Sequence, residues 1–63
     1  MTTSEEASDI ALEYLEKEGH EGCIISEVID KIYKWLLKAG SSKEQFNIEI
    51  SKADGVVLKL EKV

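Results

Sequence analysis

The stretch CIISEVIDKIYKWLLKAG, residues 23–40, sets the terms for the rest of the chain. At about 100° per residue, Ile24, Ile25, Val28, Ile29, Ile32, Tyr33, Trp35, Leu36 and Ala39 spread over about half the circumference of a helix, and Leu37 widens the arc. The complementary polar strip is narrow: Glu27, Asp30, Lys31, Lys34 and Lys38. Glu27–Lys31 and Asp30–Lys34 are spaced i,i+4, the lysines gather toward the C-terminal end, and Gly40 supplies a stop. The pattern predicts a helix over about 24–39, central to the domain because so little of it is polar. Cys23-Ile24-Ile25, with its β-branched pair, is the alternative start, a short strand over 23–25 leading into that helix.

Outward from this stretch, the N-terminal side reads as a first helix over about 4–18. Thr3 with Glu6 has the spacing of a capping box, acids fill the first turn, and Gly19 stands where a helix commonly stops. Ala7, Ile10, Ala11, Tyr14 and Leu15 form its apolar stripe, with Leu12 off it. Glu5, Asp9, Glu13 and Glu16 form an acidic ridge on the opposite side, either a solvated face or a surface that docks on a basic partner.

On the C-terminal side, Phe46, Ile48 and Ile50 alternate with polar residues, and Val56, Leu58 and Leu60 alternate with Val57, Lys59 and Glu61. Asp54-Gly55 marks a tight turn between strands over about 46–52 and 56–62. With both apolar sets on one face, Ile50 is expected opposite Leu58, Ile48 opposite Leu60 and Glu49 opposite Lys59. A short helix over 42–52 is the competing reading, opposed by the strict alternation. The expected fold is therefore α+β: two helices and a C-terminal hairpin, in one domain spanning 1–63.

Composition narrows the function. The net charge of −5 is concentrated in residues 1–22, with seven acids against Lys17, while residues 23–63 carry six acids and seven lysines. One cysteine rules out a disulfide framework within the chain. No basic and apolar leader opens the sequence and no apolar run approaches the ~20 residues of a spanning helix, so a soluble cytoplasmic protein is expected. His20-x-x-Cys23 has the residue types of half a zinc site, but structural zinc takes four ligands and the chain has one His and one Cys. The same pair lacks an orienting group for nucleophilic catalysis. No cofactor, metal or catalytic residue is expected, and the chain is not expected to be an enzyme.

Two functions remain. The first is a small non-catalytic interaction or regulatory protein, with Tyr33, Trp35, Leu37 and Val57 as candidate interface residues. Its expected partner is itself or another protein, because a chain near 60 residues buries only about 60% of its unfolded surface and gains from association. A homodimer pairing open hairpin edges about a two-fold axis would cover strand edges and apolar surplus together. The second takes up the order helix, short glycine-containing turn, helix, hairpin, which resembles a reduced winged helix-turn-helix. That resemblance implies nucleic-acid binding, for which the candidate patch is Lys31, Lys34, Lys38 and Lys43 with Lys52, Lys59 or Lys62 on the hairpin. Against it stand the net negative charge, the absence of arginine and the apolar, acidic start Ile24-Ile25-Ser26-Glu27 of the would-be recognition helix.

Overall fold

A computed structural model describes residues 1–63. It holds one helix, α1 (Ser4–Lys17), and four strands: β1 (Ile24–Asp30), β2 (Lys34–Gly40), β3 (Gln45–Ser51) and β4 (Val57–Lys62). The strands form an antiparallel meander in the order β1-β2-β3-β4. The arrangement of two helices and a hairpin is thereby overturned. Residues 24–39 are two strands, not a helix, and 42–52 hold β3, not a short helix. No helix is long and apolar enough to cross a membrane.

α1 is built from local signals. The Thr3 hydroxyl accepts from the Glu6 N–H at 3.1 Å, and the Glu6 carboxylate accepts from the Thr3 N–H at 2.9 Å. At the far end His20 N–H reaches back to the Leu15 carbonyl at 2.8 Å, with Gly19 at φ +87°. Ala7, Ala11 and Leu15 are fully buried, and Ile10 packs beside them. The two alanines let the helix backbone approach the sheet closely.

The hairpin β1–β2 accounts for the helical appearance of its sequence. Its turn, Lys31-Ile32-Tyr33, closes with Lys31 N–H on the Lys34 carbonyl and contains none of the Gly, Pro or Asn-Gly signals that announce a hairpin. A bulge between Ile25 and Glu27 then shifts the phase of β1. Ile25 pairs with Ala39 and Val28 with Leu37, so residues three apart share the helix-facing side. Spacing of three reads as helical in sequence, yet here it arises from a strand with one extra residue. The apparent i,i+4 ion pairs are also resolved differently: Glu27 meets Lys38 on β2, and Asp30 meets Lys52 beyond β3.

β3 and β4 pair Ile48 with Leu60 and Glu49 with Lys59. Ile50 opposes Val57 rather than Leu58, because a second bulge displaces Leu58. The turn puts Gly55 at φ +71°. A side chain there would also press on Ile10 Cδ1 at 3.1 Å, so glycine answers both the backbone and the packing. The core lies between α1 and one sheet face: Ala7, Ala11 and Leu15 meet Leu37, Ala39, Phe46, Ile48 and Ile50.

Ile48 is fully buried at the centre of this layer. Ile48→Ala should cost about 2–5 kcal/mol in urea unfolding, a large part of the stability of so small a domain. Thr3→Ala should cost about 1 kcal/mol, mainly by uncapping α1.

Candidate interaction surface

The sheet is covered on one face only. Its other face is built from side chains that alternate with the core set. Ile29 on β1 stands beside Leu36 on β2, a cross-strand apolar pair. Around it runs a lattice of opposite charges. Lys34 Nζ donates to Glu49 Oε1 at 2.8 Å, Lys38 approaches Glu27 at 3.7 Å, and Lys59 meets Glu61 at 3.1 Å. Glu49 and Lys59 are cross-strand partners. Ile29, Leu36, Lys38, Asn47, Glu49 and Lys59 line an open depression of about 220 Å³. It is too shallow to enclose a small molecule, but its apolar floor and charged rim resemble the anatomy of a protein interface.

The four candidate interface residues fall in different places. Leu37 is 1% exposed and belongs to the core, as its position opposite Val28 requires. Trp35 is half-buried on the helix-facing side. Its indole N–H donates to the Thr2 carbonyl at 3.1 Å, and the Lys52 ammonium lies 4.5 Å from the ring centroid. Val57 is half-buried beside Ile10 and Tyr14. Tyr33 alone stands free, 84% exposed in the β1–β2 turn next to a similarly bare Ile32. Residue-type reasoning missed Ile29 and Leu36 as a surface pair, because a helical reading scatters them around one arc.

Glu5, Asp9, Glu13 and Glu16 are all exposed on the outer side of α1. The lysines of the nucleic-acid alternative do not converge. Lys31 lies in the turn before β2 and Lys43 in the turn after it, so the length of β2 separates them. Lys34 and Lys38, between them, face carboxylates. The stretch expected to enter a groove as a helix is β1 and β2, so the winged-helix order of elements is absent. His20 packs against Phe46 with ring centroids 4.6 Å apart and turns Nδ1 toward Glu44 at 3.4 Å. Cys23 is half-buried. No three His, Cys, Asp or Glu side chains converge to hold a metal ion.

Hydrogen bonds and ion pairs drive the shifted groups further into their charged forms. The Lys34 ammonium bonded to Glu49 holds that carboxyl below its usual range, and Lys62 does the same for Glu44. The Thr3 backbone N–H lowers Glu6, while Glu61 raises Lys59. A carboxyl lowered in the folded state adds stability above its unfolded pKa, and that contribution is lost as the pH falls through the folded value. A raised lysine contributes below its unfolded pKa and loses that contribution as the pH rises through the folded value. The melting temperature should therefore be flat between about pH 6 and 9. It should fall below the usual glutamate value of 4.5 and again above the usual lysine value of 10.5. Glu49→Gln should shrink the acid-side fall, measured by calorimetry across pH.

No family model, no curated protein and no solved structure matches this chain, so its function has to be drawn from the geometry of the sheet.

Proposed function

We propose that this protein is a non-catalytic interaction module that engages another protein through its sheet. The observation that carries this reading is the uncovered outer face, where Ile29 and Leu36 sit side by side within a ring of balanced charges. Apolar contact supplies the driving force in such a patch, and the paired charges around it set orientation and exclude wrong partners. Tyr33 and Ile32 are further large side chains left bare, in the turn that follows β1. Two further points support protein binding, one over catalysis and one over nucleic-acid binding. Glu44 and Glu49 are held more firmly ionised by their lysines, the opposite of the raised pKa a general acid requires. The lysines that would serve a nucleic acid, Lys34 and Lys38, are paired on the outer face with Glu49 and Glu27, which offset their charge.

Leu36→Lys puts a charge in the centre of the outer face without touching the helix-facing core. Tagged full-length protein, purified from its own cells, should retain a stoichiometric protein partner that the folded Leu36→Lys variant holds at least about tenfold more weakly. Equal retention by the variant, or duplex DNA binding that weakens steeply with salt, would overturn this reading.

A further inference from the structure

The meander leaves two open edges, β1 and β4, and they differ in what they can pair with. β1 carries Glu27 and Asp30 as its only charges, and the bulge after Ile25 interrupts its ladder. Both charges on β1 are acids, so this edge has no opposite charge to offer a second copy of itself, whereas β4 carries both signs. β4 ends differently, with Lys59, Leu60, Glu61, Lys62 and Val63 continuing in regular extended backbone beyond its own bulge.

Backbone parity identifies the groups that β4 presents. Val63 N–H bonds the Gln45 carbonyl at 2.9 Å, and Lys52 N–H bonds the Tyr33 carbonyl at 3.1 Å. Odd-numbered residues of β3 thus bond to β4 and even-numbered ones to β2. In β4, Lys59, Glu61 and Val63 turn their N–H and C=O groups inward to β3. Leu60 and Lys62 turn theirs outward, where the chain offers them no partner.

We propose that this edge pairs with the same edge of a second copy, antiparallel about a two-fold axis at Leu60, so that the two sheets become one. This goes beyond the outer-face reading: it concerns the free edge of the same sheet, and its occupant is a second copy of this chain. Charge selects the register. A two-fold antiparallel pairing that matches outward groups can centre on residue 59, 60, 61 or 62 within the regular part of the strand, and centring on 62 sets Lys62 against Lys62 of the copy with only residues 61–63 in contact. Centring on 59 places Lys59 against Lys59 of the copy, and centring on 61 places Glu61 against Glu61. Centring on Leu60 places Lys59 opposite Glu61 of the copy, and Glu61 opposite its Lys59, at the non-hydrogen-bonded sites where side chains approach most closely. In the same register Leu60 exchanges both backbone hydrogen bonds with its own counterpart, and Leu58 stands opposite Lys62 of the copy. Leu58, 56% exposed in the single chain, is then covered by the stem of that lysine. Both helices end on the same side of the joined sheet. Each leans toward its own β1 and β2, which keeps the two acidic ridges apart.

Lys59→Glu and Glu61→Lys test the seam without depending on either variant alone. Each variant by itself puts like charges opposite one another at both symmetry-related sites. Mixed together, one chain brings two glutamates to the seam and the other two lysines, so every facing pair attracts. Native mass spectrometry and sedimentation should show the wild-type chain of 7.1 kDa as a dimer at micromolar concentration. Each variant alone should dissociate about tenfold more readily, and the equimolar mixture should form the heterodimer. A defect in folding could not be rescued by mixing two defective chains. A wild-type monomer, variants that dimerise as well as the wild type, a mixture that stays monomeric, or open-ended polymers joining β1 to β4 would each overturn the proposal. A monomer that still loses its partner on Leu36→Lys would leave the outer-face reading standing and remove only this one.

Discussion

The structure depends on the seating of α1 against one face of the sheet. Ala7, Ala11 and Leu15 are fully buried there against Leu37, Ala39, Phe46, Ile48 and Ile50. Small side chains on the helix and branched ones on β3 divide the available volume, and the two layers close on each other. Each strand must bring its apolar residues to this face, and two of them do so only with an extra residue. The bulge in β1 brings Ile25 and Val28 to the same side, and the bulge in β4 brings Val57 there in place of Leu58. The irregularities of the sheet are thus consequences of one packing requirement.

That requirement also leaves the other face of the sheet uncovered. A single helix covers one face of a four-stranded sheet, and no second layer exists to cover the other. The outer face is made tolerable in water by charges paired directly or diagonally across the strands: Lys34 with Glu49, Glu49 with Lys59, Lys38 with Glu27. Ile29 and Leu36 remain as an apolar island among them. Meander connectivity adds the second feature, since it pairs every neighbouring strand and leaves β1 and β4 open. The outer face and the β4 edge are therefore separate surfaces, reached by separate substitutions.

Legibility in the sequence followed the range of the interactions involved. Thr3, Glu6 and Gly19 act within a turn of α1, and their residue types announced its ends. Asp54-Gly55 acts within a hairpin, and the alternation on either side placed Ile48 opposite Leu60 and Glu49 opposite Lys59. Of the candidate interface, only Tyr33 was recognisable as exposed. Trp35 and Leu37 were assigned to a surplus of apolar surface that exists only if residues 24–39 are helical. The shift of register that brings Val57 inward leaves no mark in residue types, and the pairing of Ile29 with Leu36 requires knowing that the chain reverses between them.

By itself, then, the sequence determined a capped, amphipathic first helix, a glycine-turned final hairpin and an acidic N-terminal third. Those elements carry their own instructions, because the decisive contacts lie within a few residues. Residues 24–39 carry none that settle the matter: β-branched side chains favour a strand, i,i+4 charges and an unbroken run favour a helix, and Lys31-Ile32-Tyr33 has no turn signal. Tertiary structure decided between them. As a helix, this stretch would expose an apolar arc that α1 and one hairpin cannot cover. As two strands, it satisfies its backbone against β3, places Ile25, Val28, Trp35, Leu37 and Ala39 beneath α1, and leaves Ile29 and Leu36, with Ile24 at the start of β1, to the outer face.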